Sequence, residues 1–165
     1  MANDKPLVYV ETSVISYLTA KPSRDLVVAA HQEITREWWE QRSVHFSIVV
    51  SQLVINEASA GDPEAARRRL ALLDNLDVVE ISEEALELAN RLIEFGAIPD
   101  RVPEDALHVA TAAVSEAAYL LTWNCKHLAN AAMRGTIEFG CREFGLTPPV
   151  LCTPMELMED PANDS

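Results

Sequence analysis

A short apolar run near the start of the chain most constrains how it can fold. Residues Leu7–Val10 carry no charged side chain and are rich in β-forming residue types, which predicts a strand buried on both faces. Similar strand candidates lie at residues 44–50, 78–81, 119–122 and 150–153. Helical patterns separate several of these runs. Alternation of this kind predicts an α/β fold with a mostly parallel central sheet covered on both faces.

Capping residues mark several helix boundaries. An amphipathic pattern predicts a helix over residues 24–42, and another helix is expected from near Pro103 to about residue 117. Serine or aspartate caps, one followed by a first-turn proline, indicate further helix starts, and glycines indicate helix ends. The starts are Ser51, Asp62 and Ser82, and the ends are Gly61 and Gly96.

Length and composition indicate one ordinary domain. The chain has 165 residues, of which 48% are hydrophobic, enough for a shared core. We expect a single domain over residues 1–158 and a frayed polar tail over residues 159–165. Three cysteines without a CxxC pair predict reduced thiols. The absence of a signal-peptide pattern and of an apolar run near ~20 residues predicts a cytoplasmic protein without a membrane span.

The net charge of −13 argues against broad phosphate contacts, which need Lys and Arg. It is compatible with carboxylates gathered around cations, or with a basic partner. An acidic balance is also common as a solubility feature, so the charge alone decides nothing.

Polar residues follow two of the apolar runs directly. Glu11, Thr12 and Ser13 come after the first run, and Asn124 lies just beyond the fourth. Parallel α/β sheets bind ligands beyond the carboxyl ends of their strands, near a switch in strand order. The two strand ends are therefore expected at one cleft, although each polar group alone could be only a helix cap.

Two further acids are expected to point inward from helices. Glu57 shares a helix face with Leu53 and Val54, so its carboxylate should lie at the edge of the buried face. Asp105 opens the helix after Pro103 and stands four residues before Val109. The alternatives are a surface glutamate and an acid that only complements the helix dipole.

These residues together resemble the PIN-domain family, and within it the branch of VapC-type toxins. The resemblance runs from Leu7 to about Leu157. It rests on four motifs in order: VYVETS at residues 8–13, Ser51 through Glu57, DALHVATA at residues 105–112, and LLTWNCKH at residues 120–127. A single motif would be only moderately specific, whereas four in this order are strong support.

The resemblance implies a three-layer α/β/α, Rossmann-like fold, one or two Mg²⁺ or Mn²⁺ ions, and cleavage of RNA phosphodiesters. The family's acidic positions fall at Glu11, Glu57, Asp105 and Asn124, the expected catalytic and metal-binding residues. Ser13 would orient Glu11, with Thr12 as a further supporting residue. Hard divalent ions prefer oxygen ligands, so a few carboxylates suffice.

Two positions depart from the usual pattern. Glu11 stands where the family usually has Asp, and Asn124 removes one negative charge, which would weaken the hold on a second cation. Lys126 and His127 follow the strand end and are possible RNA contacts, although a surface turn is the plainer explanation. His108 could touch the site, although a lone histidine on an apolar helix is more often a core residue.

The leading functional hypothesis is an endoribonuclease that acts as the toxin of a toxin–antitoxin pair, held silent by an antitoxin and assembled as a homodimer. The alternative is a degenerate PIN domain that binds RNA or protein without cleavage. A phosphatase of a related fold would need a nucleophilic Asp where the chain has Glu11.

Overall fold

A computed structural model describes residues 4–159, which contain five β-strands and seven α-helices. In chain order the elements are β1 (Leu7–Val10), α1 (Thr12–Thr19), α2 (Leu26–Gln41), β2 (Ser47–Ser51), α3 (Gln52–Ala58), α4 (Pro63–Leu73), β3 (Asp77–Val79), α5 (Glu83–Glu94), α6 (Pro103–Val114), β4 (Tyr119–Leu121), α7 (Ala131–Glu143) and β5 (Val150–Cys152). Of the tail expected to fray, residues 160–165 lie outside the described part.

The five strands form one sheet in the order β3-β2-β1-β4-β5, and all four pairings are parallel. This confirms the predicted three-layer α/β/α fold. The chain runs outward from β1 through β2 to β3, then crosses to β4 on the other side of β1. The strand order therefore switches between β1 and β4, where parallel α/β sheets open a crevice. Val8, Tyr9 and Val10 of β1 are fully buried, as a central strand requires.

The predicted caps are confirmed. The Ser51 side chain accepts a hydrogen bond from the backbone N–H of Val54, and Asp62 and Ser82 cap α4 and α5 in the same way. Gly96 directly follows the C-cap of α5, as predicted, whereas α3 already ends at Ala58, before Gly61. Gly61 and Gly96 have φ values of 83° and 72°, the left-handed region that glycine adopts without strain. The longest helix of residues 4–159 is α2, with 16 residues. No helix in this part of the chain is long and apolar enough to span a bilayer.

Two helices carry no clear sequence signal. In α1 the sequence is TSVISYLT, rich in hydroxyl and β-branched residues that disfavour helices. Helix α7 contains Gly135 and Gly140, which also weaken a helix prediction. At Gly140 a Cβ atom would lie 2.7 Å from Leu92 Cδ2. A glycine there lets α7 approach α5 closely.

Strand and helix ends differ from the predictions by a few residues. The second strand was expected from residue 44 but begins at Ser47, because Ser43–His45 form a 3₁₀ turn. The helix from Pro103 ends at Val114 rather than near residue 117, and Glu116 takes a φ of 61°. Local hydrogen bonding at element ends competes with the apolar pattern.

Candidate metal centre

Glu11 lies at the carboxyl end of β1 and caps α1. Its Oε2 accepts a hydrogen bond from the backbone N–H of Ser13 at 3.1 Å. Its Oε1 accepts from Ser13 Oγ and from Thr122 Oγ1, each at 2.5 Å. The residue is only 8% exposed. Three donors thus satisfy this buried carboxylate and fix its orientation. Two of them belong to Ser13, the residue expected to orient Glu11.

Thr122 joins β4 to the end of β1. Besides donating to Glu11, its hydroxyl accepts a hydrogen bond from the backbone N–H of Asn124 at 2.9 Å. Ser13 Oγ accepts from the backbone N–H of Trp123 at 2.8 Å. The ends of β1 and β4, which were expected at one cleft, are therefore connected by hydrogen bonds of side chains.

Glu57 reaches the same region from the last turn of α3. Its Oε1 accepts a hydrogen bond from Thr12 Oγ1 at 2.7 Å and lies 2.6 Å from Nε2 of His108. Burial pushes the pKa of Glu57 upward. The hydrogen bond with His108, the charge of that ring when protonated and the bond from Thr12 outweigh burial, so the pKa lies below its ordinary value of 4.5.

His108 is fully buried on α6. Its Nδ1 lies 2.7 Å from the hydroxyl of Tyr9, which in turn lies 2.7 Å from Ser51 Oγ. The interpretation as a satisfied core histidine is confirmed, because the buried ring has a hydrogen-bond partner at each nitrogen. Its contact with Glu57 links it to the candidate site, and a role there stays a prediction. Tyr9 carries a sequence signal that was missed. A tyrosine within a buried apolar strand needs a partner for its hydroxyl.

Asp105 and Asn124 both contact His127. Asp105 Oδ2 lies 3.0 Å from His127 Nδ1, and Asn124 Oδ1 accepts a hydrogen bond from the His127 backbone N–H at 3.0 Å. Both residues therefore lie beside the β4 end. Lys126 is exposed, whereas His127 is 8% exposed.

One group of side chains in residues 4–159 has the spacing of metal ligands. It comprises Glu11, Glu57 and His108, whose candidate ligand atoms all lie within 4.8 Å of one another. Asp105 is not a member of this group, because its carboxylate is turned to His127. The predicted site residues thus form two neighbouring sets, one around Glu11 and Glu57 and one around His127.

The donor chemistry fits a divalent cation. Two carboxylates converge on one region, and each has an Oε1 that already accepts two hydrogen bonds. Carboxylate oxygens are the ligands that Mg²⁺ and Mn²⁺ prefer, with water completing the coordination. Glu11 and Glu57 are the residues that would hold such an ion.

A three-layer α/β fold with acids at the β1–β4 switch point defines a recognisable class, and the family comparison agrees. Residues 8–127 match the PIN domain model, well over half of the chain. The chain belongs to the PIN domain family.

Solved structures show the same fold. VapBC2 from Rickettsia felis, bound to a DNA fragment from its promoter, is 18% identical with a TM-score of 0.54; the match covers 73% of this chain and 89% of that one. VapC20 from Mycobacterium tuberculosis, a sarcin-ricin loop cleaving toxin, is 15% identical with a TM-score of 0.55, covering 73% and 92%. Among curated proteins no sequence match is found.

Proposed function

We propose that the protein is a metal-dependent endoribonuclease and the toxin of a type II toxin–antitoxin pair. The observation that carries the proposal is the convergence of Glu11 and Glu57 at the switch point of the sheet, with ligand atoms within 4.8 Å. When bound, Mg²⁺ or Mn²⁺ supplies an activated water and stabilises charge on the phosphate. The similarity in fold to a toxin that cleaves the sarcin-ricin loop supports RNA as the substrate class.

The residues of the chain have separate tasks in this proposal. Glu11 and Glu57 bind the cation through oxygen atoms, and Ser13 and Thr12 hold these carboxylates in place. Asp105 adds negative charge from the start of α6, and Asn124 contributes a neutral oxygen or a water contact. Their positions around the two strand ends support these roles.

The substrate and protein partners remain proposals. Lys126 is exposed beside the β4 end, which supports it as a contact for an RNA phosphate. Fold similarity to VapBC2 supports an antitoxin partner, and the charge of −13 suits a basic one. The homodimer and the cytoplasmic location expected from the sequence stay predictions.

The test is cleavage of structured and single-stranded RNA by the purified chain, with Mn²⁺, with Mg²⁺ and with a chelator. Cleavage that needs the metal and is lost in Glu57→Gln supports the proposal. Glu84→Gln makes the same change at an exposed position in the first turn of α5 and serves as the control. Equal cleavage by Glu57→Gln and by the parent protein would refute the assignment.

A second candidate is a PIN domain that binds RNA without cleaving it. The observation in its favour concerns Asn124, which replaces a family acid. Its side-chain oxygen accepts a hydrogen bond from the backbone N–H of His127. This candidate predicts RNA binding that is insensitive to Mn²⁺, with no product in the cleavage assay.

A further inference from the structure

A chain of buried hydrogen bonds leads from β2 to the carboxylate of Glu57. Ser51 Oγ lies 2.7 Å from Tyr9 OH, Tyr9 OH lies 2.7 Å from His108 Nδ1, and His108 Nε2 lies 2.6 Å from Glu57 Oε1. The first three residues are each 0% exposed. Their polar groups therefore bond to one another rather than to solvent.

The carboxylate end sets the direction of these bonds. An ionised Glu57 can only accept, so the proton between it and His108 belongs to Nε2. A neutral ring then has a bare Nδ1, which accepts the proton of Tyr9 OH. The Tyr9 oxygen in turn accepts the proton of Ser51.

The hydrogen bonds of Ser51, at the other end of the series, are consistent with this direction. Ser51 Oγ still accepts from the backbone N–H of Val54 at 3.4 Å, a group that can only donate. Tyr9 OH has one proton, so it can donate to His108 Nδ1 while its oxygen accepts from Ser51 Oγ. Every group in the chain therefore has a compatible role.

We propose that Ser51, Tyr9 and His108 form a relay that positions Glu57. The relay holds the imidazole in the tautomer with its proton on Nε2, and that proton bonds to Oε1. Thr12 Oγ1 donates to the same oxygen at 2.7 Å, so two donors fix the plane of the carboxylate. The proposal rests on the proposed function only in taking Glu57 as a cation ligand.

The relay makes His108 a positioning residue rather than a metal ligand. Its ring nitrogen nevertheless lies within 4.8 Å of candidate ligand oxygens of Glu11 and Glu57. A protonated Nε2 has no lone pair to offer a metal ion. Hydrogen-bond partners of ligands typically change metal affinity by about 10–100-fold when they are lost. The two roles predict different results for two amide variants.

The first measurement is the tautomer of His108 in the metal-free, ¹⁵N-labelled full chain at about pH 8, above the ordinary titration of imidazole. Two-bond correlations between ring protons and ring nitrogens report which nitrogen is protonated. The His108 signals are those that disappear in His108→Gln. A proton on Nε2 alone is expected, and a proton on Nδ1 overturns the relay. Because no metal is present, this result stands even if the protein proves not to be a nuclease.

The second measurement is Mn²⁺ affinity by calorimetry. In His108→Gln the amide nitrogen reaches the position of Nε2 and can donate to Glu57, so binding close to that of the parent is expected. In His108→Asn the amide lies near the position of Nδ1 and Glu57 loses its donor. Binding should then weaken by about 10-fold or more. Equal loss in both variants overturns the positioning role.

Tyr9→Phe tests the relay without removing the ring. It deletes the donor to Nδ1 in a side chain of nearly the same shape, and about 10-fold weaker Mn²⁺ binding is expected. Tyr119→Phe makes the same change on the neighbouring strand β4, outside the relay, and should leave affinity unchanged. Equal affinities for the two variants, with circular dichroism showing both folded, overturn the proposal.

The spectrum of bound Mn²⁺ separates the two roles directly. Electron spin echo spectra of the Mn²⁺ complex should show no ¹⁴N coupling from a coordinated ring. A coupling that disappears in His108→Gln would make His108 a ligand and overturn the relay. Parent protein that binds no Mn²⁺ refutes the proposed function instead, and the metal-free tautomer then decides the relay alone.

Discussion

Asp105 Oδ2 lies 3.0 Å from Nδ1 of His127, which ties the first turn of α6 to the turn after β4. Both side chains are largely buried, at 17% and 10% exposed. The acid is therefore held in one orientation beside the β4 end. Of the two RNA contacts suggested by the sequence, Lys126 is the more accessible, and contact by either residue stays a prediction.

Replacing Asp105 by Asn should reduce metal-dependent RNA cleavage by at least ~100-fold, the order seen when a major charge-stabilising group is lost. The amide oxygen can still accept from His127, so metal-free stability should stay within about 1 kcal/mol of the parent. Initial cleavage rates and urea unfolding measure the two effects. Glu104→Gln, at an exposed neighbour in the same helical turn, is the control. Unchanged cleavage in Asp105→Asn would place the activity in a contaminant or another site.

Mn²⁺ should stabilise the parent protein against heat, because a ligand that binds only the folded state stabilises it by linkage. At a free concentration 100 times the dissociation constant, the gain is about 2.7 kcal/mol. Glu11→Gln and Glu57→Gln should lose most of this gain. Thermal melts with and without metal make the measurement. A melting temperature of the parent unmoved by millimolar Mn²⁺, together with flat calorimetry, would argue strongly against a metal nuclease.

Asn124→Asp should tighten Mn²⁺ binding by restoring a charge near the site. A carboxylate oxygen can replace the amide oxygen that accepts from the His127 backbone, so the turn should be kept. Asn130→Asp is the matched control, because Asn130 accepts from the backbone of Ala132 at the start of α7. Calorimetric titration compares the two. Equal dissociation constants for Asn124→Asp and the parent would mean that the Asn124 side chain only supports the turn after β4.

Glu57 should make metal-free stability depend on pH in the acid range. Its folded-state pKa is lowered below 4.5, so ionised Glu57 favours the folded state. That contribution is present above the unfolded-state pKa and is lost as the pH falls below 4.5 through the folded-state value. Urea unfolding across this range should show a steeper loss in the parent than in Glu57→Gln. Parallel curves would show that His108 and Thr12 do not stabilise the ionised form of Glu57 in the folded state.

The three cysteines should differ in reactivity. Cys125 is exposed, whereas Cys141 and Cys152 are buried, and burial raises their thiol pKa to about 11 and about 12. Because the thiolate is the reactive form, an aromatic disulfide reagent should modify one thiol per native chain and three after denaturation. Rapid modification of all three in the native protein would contradict the packing of α7 and β5.

Much of the fold follows from local sequence patterns. Apolar runs predicted all five strands, and the caps at Ser51, Asp62 and Ser82 were confirmed, because caps and periodicity depend on neighbouring residues. Helices α1 and α7 were missed because their composition disfavours a helix. Tertiary contacts stabilise them instead, as when Glu11 caps α1 while bound to Thr122.

The sequence by itself determined the α/β class and the strand ends near which polar residues gather. Only the tertiary structure decided which groups bond to which. Glu11 meets Thr122 across 111 positions of the chain, and Glu57 meets His108 across 51. Such bonds depend on the directions in which side chains leave separate elements, and these are set when β1, α3, α6 and β4 pack together. A local pattern carries no record of that geometry, so His108 could be recognised as buried but not as a partner of Glu57.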